Sequence, residues 1–94
     1  MLERLAHFAP RAGVVHKKVF IKNSRSRWGS CSQLGNLNFN YRVVRLPPAV
    51  LDYVVVHELC HLIHFNHSRA FWGEVEKLVP NWRELRRQLR TVKI

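Results

Sequence analysis

The spacing of apolar residues changes along the chain, and each spacing predicts an element. Over residues 1–12, Leu2, Leu5 and Phe8 recur at helical spacing and predict a short N-terminal helix. Val14 to Lys22 alternates in part and carries β-branched residues, which predicts a strand. Residues 25–32 and 37–43 predict two more strands around a turn at Gly35-Asn36. Residues 49–63 are apolar nearly all round, the pattern of a helix buried through the middle of a domain. Pro47 and Pro48 suit its first turn, Asp52 lies early, where the helix dipole favours a carboxylate, and Asn66 can turn left-handed and stop it. Ser68 then caps a helix running through Phe71 and Trp72 to about Val79, before Pro80. The last helix starts at Asn81, with Glu84 three residues on as in a capping box. Its inner stripe is Trp82, Leu85, Leu89 and Val92; Arg83, Arg86, Arg87 and Arg90 face outward. Strands followed by helices give an α+β fold, a small antiparallel sheet packed on the central helix with further helices. Trp28 is expected in the core, and Gly29 at a bulge or a close backbone approach.

Ninety-four residues make a single domain with a limited core, so a bound metal would add useful stability. The sequence has no internal repeat, linker or low-complexity segment. Two cysteines, Cys31 and Cys60, are too few for a disulfide scaffold and read as reduced thiols. Cys60 is expected to pack as a small hydrophobe. No apolar stretch reaches membrane-spanning length and no signal peptide opens the chain, so the expectation is a cytoplasmic monomer without membrane contact.

The central helix carries the chemistry. His57-Glu58-Leu59-Cys60-His61 places two imidazoles one turn apart on one face, where both can reach one zinc ion. Glu58 between them can take a proton from an activated water. His57, Glu58 and His61 form the polar patch of an otherwise apolar helix, and a buried glutamate between two histidines calls for a cation. A third ligand would leave the fourth position open, which separates a catalytic from a structural zinc. His67 is the leading candidate, with Glu74 and Glu76 of the following helix as rivals. The register matches the longer motif H-E-x-x-H-x-x-G-x-x-H, but His64 stands where the turn glycine belongs, and Met1 is the only methionine, so no methionine turn underlies the site. His64, one turn past His61, is a candidate fourth ligand, a group supporting the ligands or a transition-state donor, beside the simpler reading of a rim histidine.

Charge adds a second theme. Sixteen Lys and Arg against six Asp and Glu give a formal net charge of +10, spread along the chain. The outward arginines of the last helix are either a solvated face or a surface for nucleic acid or acidic substrate.

Four linked runs carry a family resemblance: Ser26 to Ser32 (S-R-W-G-S-C-S), Gly35 to Asn40 (G-N-L-N-F-N), Pro47 to Leu62, and Asn66-His67-Ser68 with Phe71-Trp72. Together they closely resemble the YgjP-like metal-dependent hydrolases, relatives of the SprT-like and WLM zinc metallopeptidases. The resemblance covers residues 14–80, between a short N-terminal helix over 1–13 and a basic C-terminal helix over 81–94. It implies a zincin-like minimal metallopeptidase domain with His57, His61 and His67 as zinc ligands and Glu58 as catalytic base. It also implies kinship with proteases that act on proteins crosslinked to DNA. One departure is the lead: relatives carry a longer N-terminal portion than the Met1 to Gly13 found here, whether by nature or by truncation.

The reading that results is a zinc-dependent endopeptidase acting on protein or peptide substrates. The alternative is a basic module that binds nucleic acid without reading sequence, its zinc structural or latent. A peptidase must hold its substrate extended, and the strand edge at Asn36 to Asn40, with Asn38, is the expected place. Arg27 or Arg25 could bind a substrate carboxylate or carbonyl, and His64 and Tyr41 are the candidates for stabilising an oxyanion.

Overall fold

The computed structural model describes residues 1–24 and 26–92; the role considered for Arg25 and the last two residues of the basic helix lie outside the described residues. In chain order the elements are α1 (Leu2–Ala12), β1 (Val19–Lys22), β2 (Gly29–Cys31), β3 (Leu37–Asn40), a 3-10 turn (Tyr41–Arg45), α2 (Pro48–Cys60), α3 (Arg69–Leu78) and α4 (Trp82–Thr91). This is the α+β arrangement read from the sequence.

Helix α2 is the axis of the fold and packs against α1, α3, α4 and β2. Its side chains from Tyr53 to Val56 and from Glu58 to Cys60 are all buried, as apolar residues all round a helix require. Asp52 lies past the first turn, and Arg4 of α1 donates to both its oxygens at 2.7 and 2.9 Å, so it fastens α1 to α2 instead of serving the helix dipole. In α1, Leu5 and Phe8 are buried, whereas Leu2, expected beside them, is 66% exposed because the helix end overhangs the core.

The sheet corrects the expected topology. Its order is β1-β3-β2; β2 pairs antiparallel with β3 through the Gly35 turn (φ 91°), but β1 pairs parallel with β3, making a mixed sheet. A tight turn dictates the antiparallel pairing of its own two strands only, and no local signal says on which side of β3 the first strand docks. β3 is therefore the central strand, bonded on both sides. The edge proposed at Asn36 to Asn40, with Asn38, is not free. The open edges belong to β1 and β2.

The strands are also shorter than expected. Residues 14–16 alternate in burial, with Val14 packed at the edge of the core and Val15 92% exposed, but the pairing with β3 begins only at Val19, where β1 starts. β3 ends at Asn40, whose side chain accepts from Arg42 N at 3.0 Å and starts the 3-10 turn. Buried Asn40 also donates through Nδ2 to Ser24 O and Arg27 O at 2.6 and 3.1 Å, tying the loop before β2 to the sheet. Trp28, expected in the core, is half-buried at its edge.

Helix ends show which local signals survive. Ser68 accepts from Phe71 N and caps α3 as expected. Asn66 does not stop α2: no non-glycine residue has positive φ among the described residues, and the helix unwinds through Leu62 N to Leu59 O and Ile63 N to Cys60 O. Asn81 makes no side-chain cap, and Glu84 accepts from Arg87 instead, so the expected capping box is absent. Trp82 and Leu85 are buried and Leu89 half-buried, whereas Val92, just past the last turn of α4, is exposed.

Candidate active site

His57 and His61 project from the last turn of α2, and His67 comes from the turn before α3. One ligand nitrogen from each lies within 4.8 Å of the others, the only such histidine, cysteine or carboxylate cluster of three among the described residues. Glu74 and Glu76 take no part; they pair with Lys77 and Arg83 on the surface. Phe71 holds the cluster together. It is fully buried, stacks on His61 with ring centroids 4.4 Å apart and meets His57 and His67 edge-on at 5.1 Å each. Trp72 lies 5.8 Å from both His57 and His67. The Ser68 cap, which accepts from Phe71 N at the start of α3, thus sets the third histidine and the aromatic wedge behind all three.

The hydrogen bonds prepare the rings. His61 Nδ1 lies 3.0 Å from His64 O, so the proton on Nδ1 donates to that carbonyl and Nε2 keeps its lone pair. His61 Nε2 faces His67 Nε2 at 3.1 Å, close to the roughly 3.3 Å separating two nitrogens on one tetrahedral zinc. Three imidazoles converging with lone pairs available are a donor set that fits a divalent ion such as zinc. The His67 pKa is lowered from 6.5, first by partial desolvation against its neighbours and then by the charges of His57 and His61, which favours the neutral ring. His64 serves through its backbone carbonyl, and its side chain stays outside the cluster.

Glu58 is buried, at 5% exposure, with Oε2 3.2 Å from His57 Nδ1. Gly29 of β2 lies directly against it: a Cβ there would come within 3.1 Å of Glu58 Cγ, 3.2 Å of Oε2 and 3.1 Å of Asn38 O. The close approach expected at Gly29 is thus onto the candidate base, and it brings the open edge of β2 beside the histidines. Asn40 N donates to Trp28 O and Ser32 N to Asn36 O, so Trp28 and Ser32 bond β3 while the N–H and C=O of Gly29 and Cys31 point to the open edge.

A cavity of about 260 Å³ runs along this edge, lined by Arg27, Gly29 to Cys31, His57, Glu58, His61, Phe65 and His67. A neighbouring one of about 190 Å³ has apolar walls, Trp28, Tyr53, Val54 and Leu89, and reaches Arg27, His57 and Glu58. Arg27 overhangs both. Asn38 lines a third cavity with Arg27 and Ser30, away from the histidines. Tyr41 lies under Arg42, 4.5 Å from its ring centroid, and lines none of the three.

Tyr53 was not anticipated, although four residues before His57 places it on the same helix face. Burial pushes its phenol up to about 12, with Arg86 opposing and Glu58 adding, so it stays a neutral donor. Burial and then the charge of Glu58 push the Cys31 thiol up to about 11, and burial pushes that of Cys60 up to about 12. Both remain thiols, and Cys60 packs fully buried as expected.

A helix bearing two histidines and a buried glutamate, a third histidine from the next turn and an adjoining sheet edge define a minimal zincin-like metallopeptidase domain. The chain matches the model of the YgjP-like metallopeptidase domain over residues 1–92 and belongs to that family, hydrolases of peptide bonds that use a metal ion. Among solved structures it is similar to the metallopeptidase zymogen abylysin of Pyrococcus abyssi, at 27% identity over 96% of this chain and 91% of that one, with a TM-score of 0.86. It shares its fold with the metallopeptidase zymogen jannalysin of Methanocaldococcus jannaschii, at 21% identity over 97% and 96%, with a TM-score of 0.75. A comparison with curated protein sequences returned no match.

Proposed function

We propose that the chain is a zinc-dependent endopeptidase in which His57, His61 and His67 hold the ion and Glu58 is the general base. The observation that carries this reading is the convergence of three imidazole nitrogens within 4.8 Å beside a buried carboxylate and an open cavity. When bound, the ion supplies Lewis acidity, polarising the scissile carbonyl and making the attacking water more acidic. A Glu58 oxygen takes the proton of that water and passes it to the leaving amine nitrogen. The free N–H and C=O groups of Gly29 and Cys31 pair with an extended substrate backbone, which adds as a strand. The neutral phenol of Tyr53 and the guanidinium of Arg27 are the donors at the cleft walls.

A structural or latent zinc has no use for a base at an open coordination position, so Glu58 favours the enzyme. The two free thiols suit a cytoplasmic monomer, which is part of this proposal; no helix among the described residues is long and apolar enough to cross a membrane. A second reading, non-specific nucleic-acid binding through α4, is supported by four arginines gathered around one surface hollow with Trp82. Elemental analysis of the purified protein with a casein or peptide digestion assay tests the main reading. About one zinc per chain is expected, with hydrolysis that Glu58→Gln reduces by at least about a thousandfold while keeping the metal. Full activity in the metal-loaded variant would exclude Glu58 as the base.

A further inference from the structure

The cleft carries a charge imbalance that hydrolysis itself does not need. Of the six carboxylates, four are spent on pairs away from the cleft: Asp52 with Arg4, Glu74 with Lys77, Glu76 with Arg83 and Glu84 with Arg87. Glu3 is exposed on α1, so Glu58 is the one carboxylate lining the cleft among the described residues.

Three of the arginines with no carboxylate within ion-pair distance among the described residues are Arg27, which lines the cleft, and Arg86 and Arg90, which line the neighbouring hollow of α4 beside Trp82. Arg27 lines all three cavities around β2. Its backbone is fixed, since its N–H donates to Ser24 Oγ at 3.2 Å and its carbonyl accepts from Asn40 Nδ2 at 3.1 Å. On α4, the Arg86 guanidinium lies 5.3 Å from the ring centroid of Trp72, the tryptophan beside His57 and His67. Arg90 is one turn further on α4, beside Leu89 of the apolar cavity, and the charges of both Arg86 and Arg90 reach Tyr53 in that cavity's wall.

We propose that the cleft selects acidic peptide segments, in which substrate carboxylates flanking the scissile bond meet Arg27 on the sheet side and Arg86 with Arg90 on the α4 side. This rests on the peptidase reading and names its substrate class. Apolar walls focus the field of the three guanidiniums into the cleft, and a basic segment meets like charge on both sides. Each exposed pair is weak, but two or three acting together give a preference of about tenfold. A peptide suits the site better than a nucleic acid. The adjoining β2 edge offers peptide-pairing groups, and Arg83 and Arg87, which a phosphate backbone on α4 would need, already hold glutamates.

The test is the binding of short fluorescent peptides, with one apolar centre and flanks of Glu, Gln or Lys, to zinc-loaded Glu58→Gln protein. The Glu-flanked peptide is expected to bind about tenfold tighter than the Lys-flanked one at low salt, with the ratio shrinking as salt screens the contacts. Replacing Arg27 and Arg86 together by Gln should remove most of that ratio, while Arg83→Gln with Arg87→Gln should leave it. Equal affinity for the three peptides overturns the proposal, as does a ratio untouched by the Arg27 and Arg86 changes. An oligonucleotide that outcompetes the Glu-flanked peptide with the same arginine dependence reassigns the surface to nucleic acid. The comparison among peptides on the unsubstituted arginines stands even if the double variant misfolds. Because binding is read, a parent protein without hydrolytic activity counts against the peptidase reading alone, and equal binding counts against the acidic preference alone.

Discussion

Helices α2 and α4 pack against each other but follow opposite rules. In α2, eight of thirteen residues are buried, and His57 and Glu58 face a cavity beside β2. In α4, two of ten residues are buried and an arginine face is left to solvent. The chemistry proposed for α2 therefore depends on distances of tenths of an ångström set by its neighbours. The attraction proposed for α4 depends on charge, which tolerates several ångströms. A substitution near α2 should change chemistry or folding, whereas one on the outer face of α4 should change only long-range attraction.

Four tests would break or sharpen that contrast. The largest effect is expected from His67→Ala, which removes a ligand and should weaken zinc binding by more than about 100-fold, whereas Glu74→Ala should leave it intact. Competition with a chelator measures both, and equal loss in the two variants would mean that the third ligand is misassigned. Phe71→Ala should follow. It empties a fully buried ring site under three histidines and should cost about 3–5 kcal/mol in urea unfolding of the metal-free protein, besides loosening the metal. A domain this small has about 5–15 kcal/mol to lose, so partial unfolding at room temperature is the expected appearance. Gly29→Ala should be milder, because a methyl group 3.1 Å from Glu58 Cγ has to be accommodated by a shift of the base or of β2. Overpacking of this kind costs about 1–3 kcal/mol. The prediction is a fall in kcat with zinc content unchanged, and an unaltered kcat would show that Glu58 does not need its present position. The smallest effect belongs to α4. Arg83→Gln with Arg87→Gln should leave the urea midpoint and zinc content at parent values, because both pairs are largely exposed. If α4 binds nucleic acid, the pair should lower affinity in a gel-shift assay and flatten its salt dependence; with no shift of the parent at low salt, the outer face is solvated surface.

Much of the site was legible because its signals are local. The spacing of His57, Glu58 and His61 acts through one helical turn, and the Ser68 cap acts over three residues, so neither needs knowledge of the rest of the fold. Local signals failed where a competing partner was distant in sequence. Asp52 was claimed by Arg4 forty-eight residues away, and Asn40 by the loop at Ser24 and Arg27. The place of Arg86 over Trp72 could not be read from sequence, because the helical pattern says only that it faces away from the α4 core, and the ring it rests on belongs to α3.

The sequence by itself determined the helices, the histidine and glutamate constellation and the family, since periodicity, capping and motif spacing are properties of neighbouring residues. Tertiary structure alone decided that β1 lies parallel to β3, that the free edge beside Glu58 belongs to β2 at Gly29, that Arg27 lines the cleft, and that Arg86 of α4 rests on Trp72 of α3. These outcomes depend on which surfaces bury most apolar area when the whole chain closes around α2, and no stretch of a few residues contains that information.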